Sequence, residues 1–305
     1  MAGSETMLHT MMETLAKAGH NATVVTSEME APATWEWRGV KGITADGIQA
    51  GEEAVLATAP DVIVSHHQNA LASVRMAKGI GARSVFVQHN DFPDNGIILA
   101  EKPDLTVFNT NWVAKKWAPQ AGKFIVVHPP VWPEDHAATP GDMVTLVNLN
   151  RDKGVHIFYQ LALRFPQYRF LGVTGSHGPQ ITHGAPGNVE IAPQTTDMRK
   201  DVWSRTRVLL VPSVYESYGM VAPEAMASGI PVIATPTPGL RESLGMAGIF
   251  IGRSQIAGWA YKVRELMGSD KAWDAASRRS LRRSAELHPG PEMDSWVRAV
   301  EAMAG

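Results

Sequence analysis

Residues 211–245 read VPSVYESYGMVAPEAMASGIPVIATPTPGLRESLG, and the rest of the fold can be predicted outward from them. The apolar run that ends at Val211 is too short for a helix and stops at Pro212, so it predicts a buried strand. Pro223 suits the first turn of a helix, where its missing N–H is not needed, and Gly229 is typical of the residue that follows a helix. A strand, a glycine loop, a helix and a second strand together predict a phosphate-binding loop at the carboxyl end of a parallel sheet.

The chain on both sides of this stretch alternates short apolar runs with helical patterns. The predicted strands, apart from the front of the chain, cover residues 61–65, 84–88, 105–109, 124–127, 144–147, 169–173, 189–191, 208–211, 231–235 and 248–251. Such alternation predicts an α/β protein with doubly wound parallel sheets. The length of 305 residues allows two domains, and the proline-rich segment 133–141 is interpreted as their linker. We therefore predict an N-terminal domain over residues 1–135, a C-terminal domain over 140–288 and a last helix over 291–305.

Composition excludes several classes of protein. The chain has no run of about 18 apolar residues and no basic-then-apolar leader, so we expect a cytoplasmic protein without a membrane span. It has no cysteine, which excludes disulfides, thiolate metal sites and cysteine nucleophiles. Acidic residues outnumber basic ones up to Thr139, and this argues against a general attraction to nucleic acid. Nucleic acid is therefore expected as a partner only if it is the acceptor substrate.

Two carboxylates in the quoted stretch, Glu216 and Glu224, are separated by seven residues. One such carboxylate would indicate no more than a favourable helix start. Here both lie in the string P-S-x-x-E-S-x-G-x-x-x-x-E-A-M-A-x-G-x-P-V-I-A, which closely resembles the signature of the family 4 glycosyltransferases. The resemblance is strongest from about Met143 to Gly248. It implies the GT-B fold, with two Rossmann-like domains that face a cleft and a terminal helix that packs back on the N-terminal domain.

The front of the chain departs from this family. The string AGSETMLH resembles the family's first glycine loop and first helix, but the family has an apolar strand before that loop. We therefore expect the front domain to lack its first strand, whether translation naturally begins upstream or the sheet closes without it. The next strand is predicted at 22–26, and residues 31–48 are predicted as a loop with at most a short strand. An edge of strand 22–26 would then need cover from another segment, such as 35–43, or from a second molecule.

The resemblance assigns Lys153 to the phosphates of a nucleotide-sugar donor. Lys153 begins a helix in a Lys-Gly pair, as the phosphate-binding lysine of the family does, and its charge suits a diphosphate. The family has an arginine five residues earlier, where this chain has Asn148. Arg151 is a second candidate for the phosphates, with a solvated turn as its equally weighted alternative.

The resemblance also implies different roles for the two carboxylates. Glu224 is expected to accept hydrogen bonds from both ribose hydroxyls, and Glu216 to accept one from a hydroxyl of the donor sugar. The remaining donor-binding candidates are one residue of the first glycine loop and the loop before the signature helix, namely Gly3, Ser217, Tyr218, Gly219, Met220 and Val221. The residues that we expect to take part in catalysis are Lys153, Glu216 and His89.

Three histidines follow two predicted strands of the front domain. His89 matches a family position that touches the donor sugar near the reaction centre, with core packing as the alternative. His66 and His67 are weaker candidates for the acceptor side of the cleft, with packing equally favoured. No histidine stands at a metal-site spacing from a carboxylate, so no metal is expected.

The function implied by the resemblance is retaining hexosyl transfer from a UDP- or GDP-sugar to a hydroxyl acceptor, without a cofactor. The leaving phosphate would accept the acceptor's proton, so catalysis would be mainly positioning and stabilisation of the departing diphosphate.

Three alternatives remain open on the sequence. They are glycosylation of hydroxymethylated bases in DNA, epimerisation or hydrolysis of the nucleotide sugar, and a sensor that binds the nucleotide sugar without transfer. A nicotinamide oxidoreductase is disfavoured because no G-x-G-x-x-G opens a helix. The sugar, the nucleotide, the acceptor and the oligomeric state stay undetermined.

Overall fold

The computed structural model describes residues 3–28, 31–176 and 178–304. The strands in chain order are β1 (Thr23–Glu28), β2 (Ala33–Trp37), β3 (Val40–Asp46), β4 (Val62–His66), β5 (Arg83–Gln88), β6 (Leu105–Phe108), β7 (Phe124–Val126), β8 (Met143–Val147), β9 (Phe170–Val173), β10 (Val189–Ala192), β11 (Thr206–Val211), β12 (Val232–Ala234) and β13 (Ile249–Phe250). The helices are α1 (Gly3–Lys17), α2 (Gly47–Ala57), α3 (Ala70–Ile80), α4 (Asn95–Ala100), α5 (Asn111–Trp117), α6 (Pro133–His136), α7 (Val155–Arg164), α8 (Met198–Asp201), α9 (Val221–Ala227), α10 (Pro238–Leu244), α11 (Ile256–Gly268), α12 (Asp270–Glu286) and α13 (Gly290–Ala304).

The described chain divides into two compact units. The first unit comprises Gly3–Pro130 together with the C-terminal segment from Gly290, and the second comprises Val131–Pro289. Both are α/β units built on parallel strands, so the predicted fold class is confirmed.

The second unit is a single six-stranded parallel sheet in the order β10-β9-β8-β11-β12-β13. Its four inner strands, β9, β8, β11 and β12, are buried on both faces, which is why they read as continuous apolar runs. One face packs on α7, α11 and α12, with Phe158 and Trp259 fully buried; the other packs on α9 and α10, with Met226 and Leu240 fully buried. Helices therefore cover both faces, as in a doubly wound fold.

The strand order of the second unit reverses between β8 and β11. From β8 the chain continues outward through β9 and β10, whereas from β11 it continues to the other side through β12 and β13. In open parallel sheets the ligand site lies at the carboxyl ends of the strands at such a switch point. A ligand site is therefore expected at the loops that follow Val147 and Val211.

The first unit contains two separate sheets among its described residues. One is the parallel sheet β4-β5-β6-β7, which packs on α3, α4 and α5 around the buried Phe86, Phe108 and Trp117. The other has the order β1-β3-β2, with β3 parallel to β1 and antiparallel to β2. Among the described residues the edge strands are β4 and β7 in the first of these sheets and β1 and β2 in the second. The expectation of a missing first strand concerns the start of the chain, where Met1 and Ala2 lie outside the described residues.

The prediction of a loop with at most a short strand over residues 31–48 is wrong, because β2 and β3 form a hairpin there. Its two-residue turn is Arg38-Gly39, with φ of 51° and 81°, which is the left-handed pair that a tight hairpin turn needs. The indole of Trp35 lies flat over Gly42 on the neighbouring strand, where a Cβ would come within 2.0 Å of the ring. The turn and this aromatic cover fix the register of the hairpin.

Helix α13 belongs to the first unit through specific polar contacts. The Trp296 indole is fully buried and donates to the Met11 carbonyl oxygen of α1 at 3.0 Å. Glu292 accepts hydrogen bonds from the His128 backbone N–H at 2.6 Å and lies 2.8 Å from His128 Nδ1. The last helix thus holds α1 and the segment after β7 together.

We expect β1 to be less stable than β11, because β1 is an edge strand of a three-stranded sheet whereas β11 is an interior strand of a six-stranded one. Amide hydrogen exchange measured by mass spectrometry or NMR should show protection in residues 23–26 lower than in residues 208–211 by about 100-fold or more. The interior strand β5 of the first unit serves as the internal control and should be protected more strongly than β1. Equal protection in β1 and β11 would contradict this expectation.

Candidate functional site

The loops after β8 and β11 meet at the switch point of the second unit. The Val214 backbone N–H donates to the Asp152 carbonyl oxygen at 2.8 Å, which joins the two loops directly. Gly154 lies in the left-handed region, with φ of 90°, and a Cβ there would come within 2.6 Å of the Pro212 ring. Glycine is therefore needed at position 154 both for its backbone conformation and for the close approach of the loops.

Lys153 and Glu216 form an ion pair across these two loops. Lys153 Nζ lies 2.5 Å from Glu216 Oε1, and the Ser213 hydroxyl donates to the same carboxylate oxygen at 2.8 Å. The side chains of Lys153 and Glu216 are 25% and 12% exposed, so the pair is partly withdrawn from water but remains accessible. The structure thus brings together two predicted residues that are 63 positions apart in the chain.

Asn148 stands five residues before Lys153, and its side chain is used to build the loop. It adopts a left-handed backbone with φ of 71°, which asparagine tolerates better than most residues. Its Oδ1 accepts from Asn150 Nδ2 at 3.0 Å and from Gln180 Nε2 at 2.8 Å. Gln180 Oε1 in turn accepts from the backbone N–H groups of Leu149 and Gly175. Position 148 therefore contributes loop structure and no charge.

Positive charge near the two loops comes from Arg151 and Arg253. The Arg151 side chain is exposed, while its carbonyl oxygen accepts from Arg253 Nη2 at 2.8 Å. Arg253 Nε also donates to the Pro212 carbonyl oxygen at 2.9 Å, so this arginine braces both loops. Burial lowers the pKa of His156 nearby, and the charges of Arg253 and Arg151 lower it further. The charges of both arginines therefore act at the start of α7.

Glu224 lies in the first turn of α9, eight positions after Glu216. Protein atoms packed around its carboxyl group raise its pKa from 4.5 to about 7. No side-chain hydrogen bond or ion pair holds this carboxyl among the residues that the structure describes. Glu224 thus offers a carboxyl group with open acceptor capacity on the helix that follows the loop of the ion-paired Glu216.

The loop between the two carboxylates contains Gly219 in the left-handed region, with φ of 82°. Tyr218 is buried, whereas Ser217, Met220 and Val221 are partly exposed. Helix α10 packs against this loop so closely that a Cβ on its Gly239 would lie 2.2 Å from the Ser217 carbonyl oxygen. The backbone of the loop is therefore held rigidly, as a site that binds through backbone N–H groups needs.

The three predicted histidines of the first unit lie in one cluster. His66 ends β4, His67 follows it, and His89 follows β5, which pairs in parallel with β4. His66 Nδ1 lies 2.9 Å from His89 Nε2 in a hydrogen bond. Burial lowers the pKa of His66 to about 4 and that of His89 well below its ordinary range, with the neighbouring histidines adding to both effects. At neutral pH these rings are therefore uncharged.

His67 and Gly3 complete the predicted residues. His67 is exposed and has φ of 52°, a left-handed conformation that is uncommon outside glycine. Burial lowers the pKa of its ring, while the charge of Glu5 on α1 raises it in part. Gly3 is the first residue of α1. The predicted residues therefore form two groups, with Lys153, Glu216, Glu224 and the loop between them in the second unit and the histidines in the first.

Sequence reasoning missed Ser213, Gln180 and Arg253. Ser213 stands in the quoted signature, so its position was visible, but its hydroxyl contact with Glu216 was not inferred. Gln180 and Arg253 act on loops more than 30 and 100 positions away through hydrogen bonds to Asn148 and to the Arg151 backbone. Neither has a local sequence signal.

Comparison with known proteins places the site inside a matched region. Residues 142–269 match the family model described as Glycosyl transferases group 1, and this range contains Lys153, Glu216 and Glu224. The chain is 31% identical over 115 residues to the D-inositol 3-phosphate glycosyltransferase of Mycolicibacterium smegmatis. The aligned region covers 37% of this chain and 24% of that protein. The chain is 35% identical over 111 residues to the protein of the same name from an Arthrobacter species, covering 35% and 23%. The chain thus matches about a quarter of the length of these curated relatives.

Solved structures resemble the whole chain. Sucrose-phosphate synthase from Thermosynechococcus elongatus has a TM-score of 0.79 at 17% identity, covering 97% of this chain and 92% of that one. Anabaena HepE in complex with UDP-glucose has a TM-score of 0.78 at 15% identity, covering 97% and 95%. These similarities show the fold, which is the GT-B fold with two Rossmann-like domains. Within the described part of the chain, no helix is both long and apolar enough to cross a membrane.

We expect Glu224→Gln to stabilise the protein in the absence of ligand, and to do so increasingly as pH rises. Because the carboxyl pKa is raised in the folded state, the folded state favours the protonated form, and stability is lost as pH rises from about 4.5 through about 7. Glutamine stays neutral, so the gain in unfolding free energy should approach about 3 kcal/mol above pH 8 and vanish below pH 4.5. Chemical unfolding at several pH values measures it.

Asp274→Asn, which removes an exposed carboxylate of α12 in the same unit, is the control and should show no comparable trend. A pH-independent effect of Glu224→Gln would mean that the carboxyl group is charged in the fold throughout this range.

Proposed function

We propose that this protein is a retaining glycosyltransferase that moves a hexosyl group from a UDP- or GDP-sugar to a hydroxyl acceptor. The observation that carries the proposal is the contact between Lys153 and Glu216 at the switch point, inside the region that matches the glycosyl transferase model. A cation for phosphate and a carboxylate for sugar hydroxyls are thereby placed side by side. The HepE structures contain UDP and UDP-glucose, which supports a UDP-sugar as the first donor to test.

The ion pair between Lys153 and Glu216 holds both side chains in place before a donor binds. Without a diphosphate, the charge of Lys153 is balanced by Glu216, which avoids an unpaired charge in a partly buried place. When a donor binds, its diphosphate competes for Lys153, and the exposed Arg151 adds charge from the same loop. Ser213 continues to hold Glu216, whose other acceptor positions then turn to a sugar hydroxyl.

Glu224 is the proposed ribose ligand. A carboxylate accepts from two adjacent hydroxyls at once, and each bond to a charged acceptor is stronger than a neutral one. The carboxyl lies in a place that disfavours its charge, and two hydroxyl donors would restore the ionised form. The backbone of residues 217–221 and that of Gly3 would contact the sugar and the diphosphate.

His89 is proposed to contact the transferring sugar, and His66 and His67 to contribute to the acceptor side. The low pKa of His89 means that its ring acts as a neutral hydrogen-bonding group and not as a cation. In the transfer, the bond from the anomeric carbon to the donor phosphate oxygen breaks on the face where the acceptor oxygen forms its new bond. The acceptor's proton passes to the departing phosphate, so the reaction proceeds by positioning and by stabilisation of that phosphate, without a cofactor.

We expect Lys153→Ala to weaken binding of UDP-glucose and UDP by about 10- to 100-fold, since a hydrogen bond to a charged group contributes about 1.5–3 kcal/mol. Binding of uridine, which has no phosphate, should not change. Calorimetric titration with the three compounds measures the effect, and Lys271→Ala, an exposed lysine at the start of α12, is the matched control.

If Lys153→Ala weakened the binding of uridine as much as that of UDP-glucose, Lys153 would have a structural role and no specific role at the phosphates. If neither UDP- nor GDP-sugars bind the unmodified chain, the proposed function is wrong. Donor breakdown at full rate without any acceptor would favour the hydrolase or epimerase alternative, and tight donor binding without transfer to any acceptor would favour a sensor.

We expect His89→Asn to lower the transfer rate by about 10-fold or more while leaving the dissociation constant of UDP unchanged, because the lost hydrogen bond is made to the reacting sugar. UDP release from UDP-glucose with a panel of sugars, sugar phosphates and inositol phosphates measures the rate. Proton NMR of the product determines whether the anomeric configuration is retained. Full turnover by the variant would return His89 to a role in packing.

A further inference from the structure

The histidine cluster of the first unit has a geometry that hydrogen bonding between two rings does not explain. The three ring centroids form a nearly equilateral triangle, with sides of 4.7 Å between His66 and His67, 4.9 Å between His67 and His89, and 5.0 Å between His66 and His89. One ring nitrogen of each residue lies within 4.8 Å of the corresponding nitrogen of the other two. Three potential ligand atoms therefore lie close to one another.

We propose that, contrary to the expectation of no metal, His66, His67 and His89 form a binding site for a divalent transition-metal ion of the zinc type. The ion and the transferring sugar would then be alternative partners of the His89 ring. Around zinc, a tetrahedral arrangement with Zn–N distances of about 2.1 Å separates the ligand nitrogens by about 3.4 Å. The separation of 2.9 Å between His66 Nδ1 and His89 Nε2 and the limit of 4.8 Å for the set lie on either side of this value.

The hydrogen bond between His66 and His89 shows that a lone pair already points into the cluster. A bond between two ring nitrogens needs one nitrogen that carries a proton and one that does not. A bound ion would take the place of the shared proton, which moves to the outer nitrogen of the same ring, so two neutral imidazoles become ligands without a net change in charge. Neutral imidazole is the form in which histidine binds metals.

The backbone at His67 supports a positioned ligand. Its left-handed conformation turns the chain at the end of β4, so that consecutive histidines present their rings to the same point, with centroids 4.7 Å apart. Consecutive residues of an extended strand would point to opposite faces. Left-handed conformations at residues other than glycine are often found at ligand-binding positions.

The surroundings fit a cation with an open coordination position. The Asn109 side chain donates to the His89 carbonyl oxygen at 2.8 Å and so fixes the backbone of the most buried ligand. Three protein nitrogens with one exposed ring leave a fourth position for water, as in zinc sites that are not closed by a fourth protein ligand. Imidazole ligands suit zinc, copper and nickel better than magnesium or calcium.

The test is zinc binding by the full chain, prepared without a polyhistidine tag and freed of metal with a chelator. Calorimetric titration with zinc chloride should give one ion per chain with a dissociation constant in the micromolar range or below. Titration with cobalt(II) should give the visible absorption bands of a tetrahedral nitrogen-ligated ion. Neither readout uses a donor or an acceptor, so the result is independent of the proposed transfer activity.

His67→Asn is the decisive variant, because asparagine tolerates the left-handed backbone and removes the ring at an exposed position. It should weaken zinc binding by about 10-fold or more, and His89→Gln should do the same if the variant folds. His183→Asn, at an exposed histidine of the second unit, is the matched control and should bind zinc as the unmodified chain does. The absence of stoichiometric zinc binding, or unchanged binding by His67→Asn, would overturn the proposal.

Discussion

The side-by-side pairing of β8 and β11 is the constraint on which the candidate donor site depends. These two strands are parallel neighbours, and the chain leaves them in opposite directions across the sheet. Their following loops therefore meet at the same edge without a connection that would fill the space between them. The approach of Gly154 to Pro212 and the backbone bond from Val214 to Asp152 hold the loops at contact distance. The ion pair of Lys153 with Glu216 is a consequence of this placement.

The second unit was predictable because its signals are local. Its central strands are short apolar runs, of which β11 stops at Pro212, and the signature helix begins and ends close to where Pro223 and Gly229 indicate. The two carboxylates could be placed on a loop and on the first turn of a helix from spacing alone. Their different surroundings could not be predicted. The ion pair of Glu216 and the burial of Glu224 depend on elements that are distant in sequence.

In the first unit, two features could not be predicted from local sequence signals. The hairpin of β2 and β3 was missed because Arg38-Gly39 is a less familiar turn pair than Asn-Gly, and because Gly42 weakens the strand pattern until Trp35 packs over it. The histidine cluster was missed for another reason. His66 and His67 were placed at one strand end and His89 at the next, but only the parallel register of β4 with β5 and the left-handed turn at His67 bring the rings together.

The two carboxylates of the signature are in opposite electrostatic situations, which separates their proposed tasks. Glu216 is paired with a lysine and a serine hydroxyl, so it is held in place before any donor arrives. Glu224 has no charged partner among the described residues, and its burial makes ionisation costly. A group that is costly to ionise alone gains most from a ligand that brings two hydroxyl donors, whereas an ion-paired group first has to share its cation. The nucleoside end of a donor would therefore gain its affinity at Glu224, and the diphosphate end would have to displace the contact between Lys153 and Glu216. Displacement of that contact would free Glu216 for the sugar only when the diphosphate is present, which couples recognition of the sugar to recognition of the phosphate.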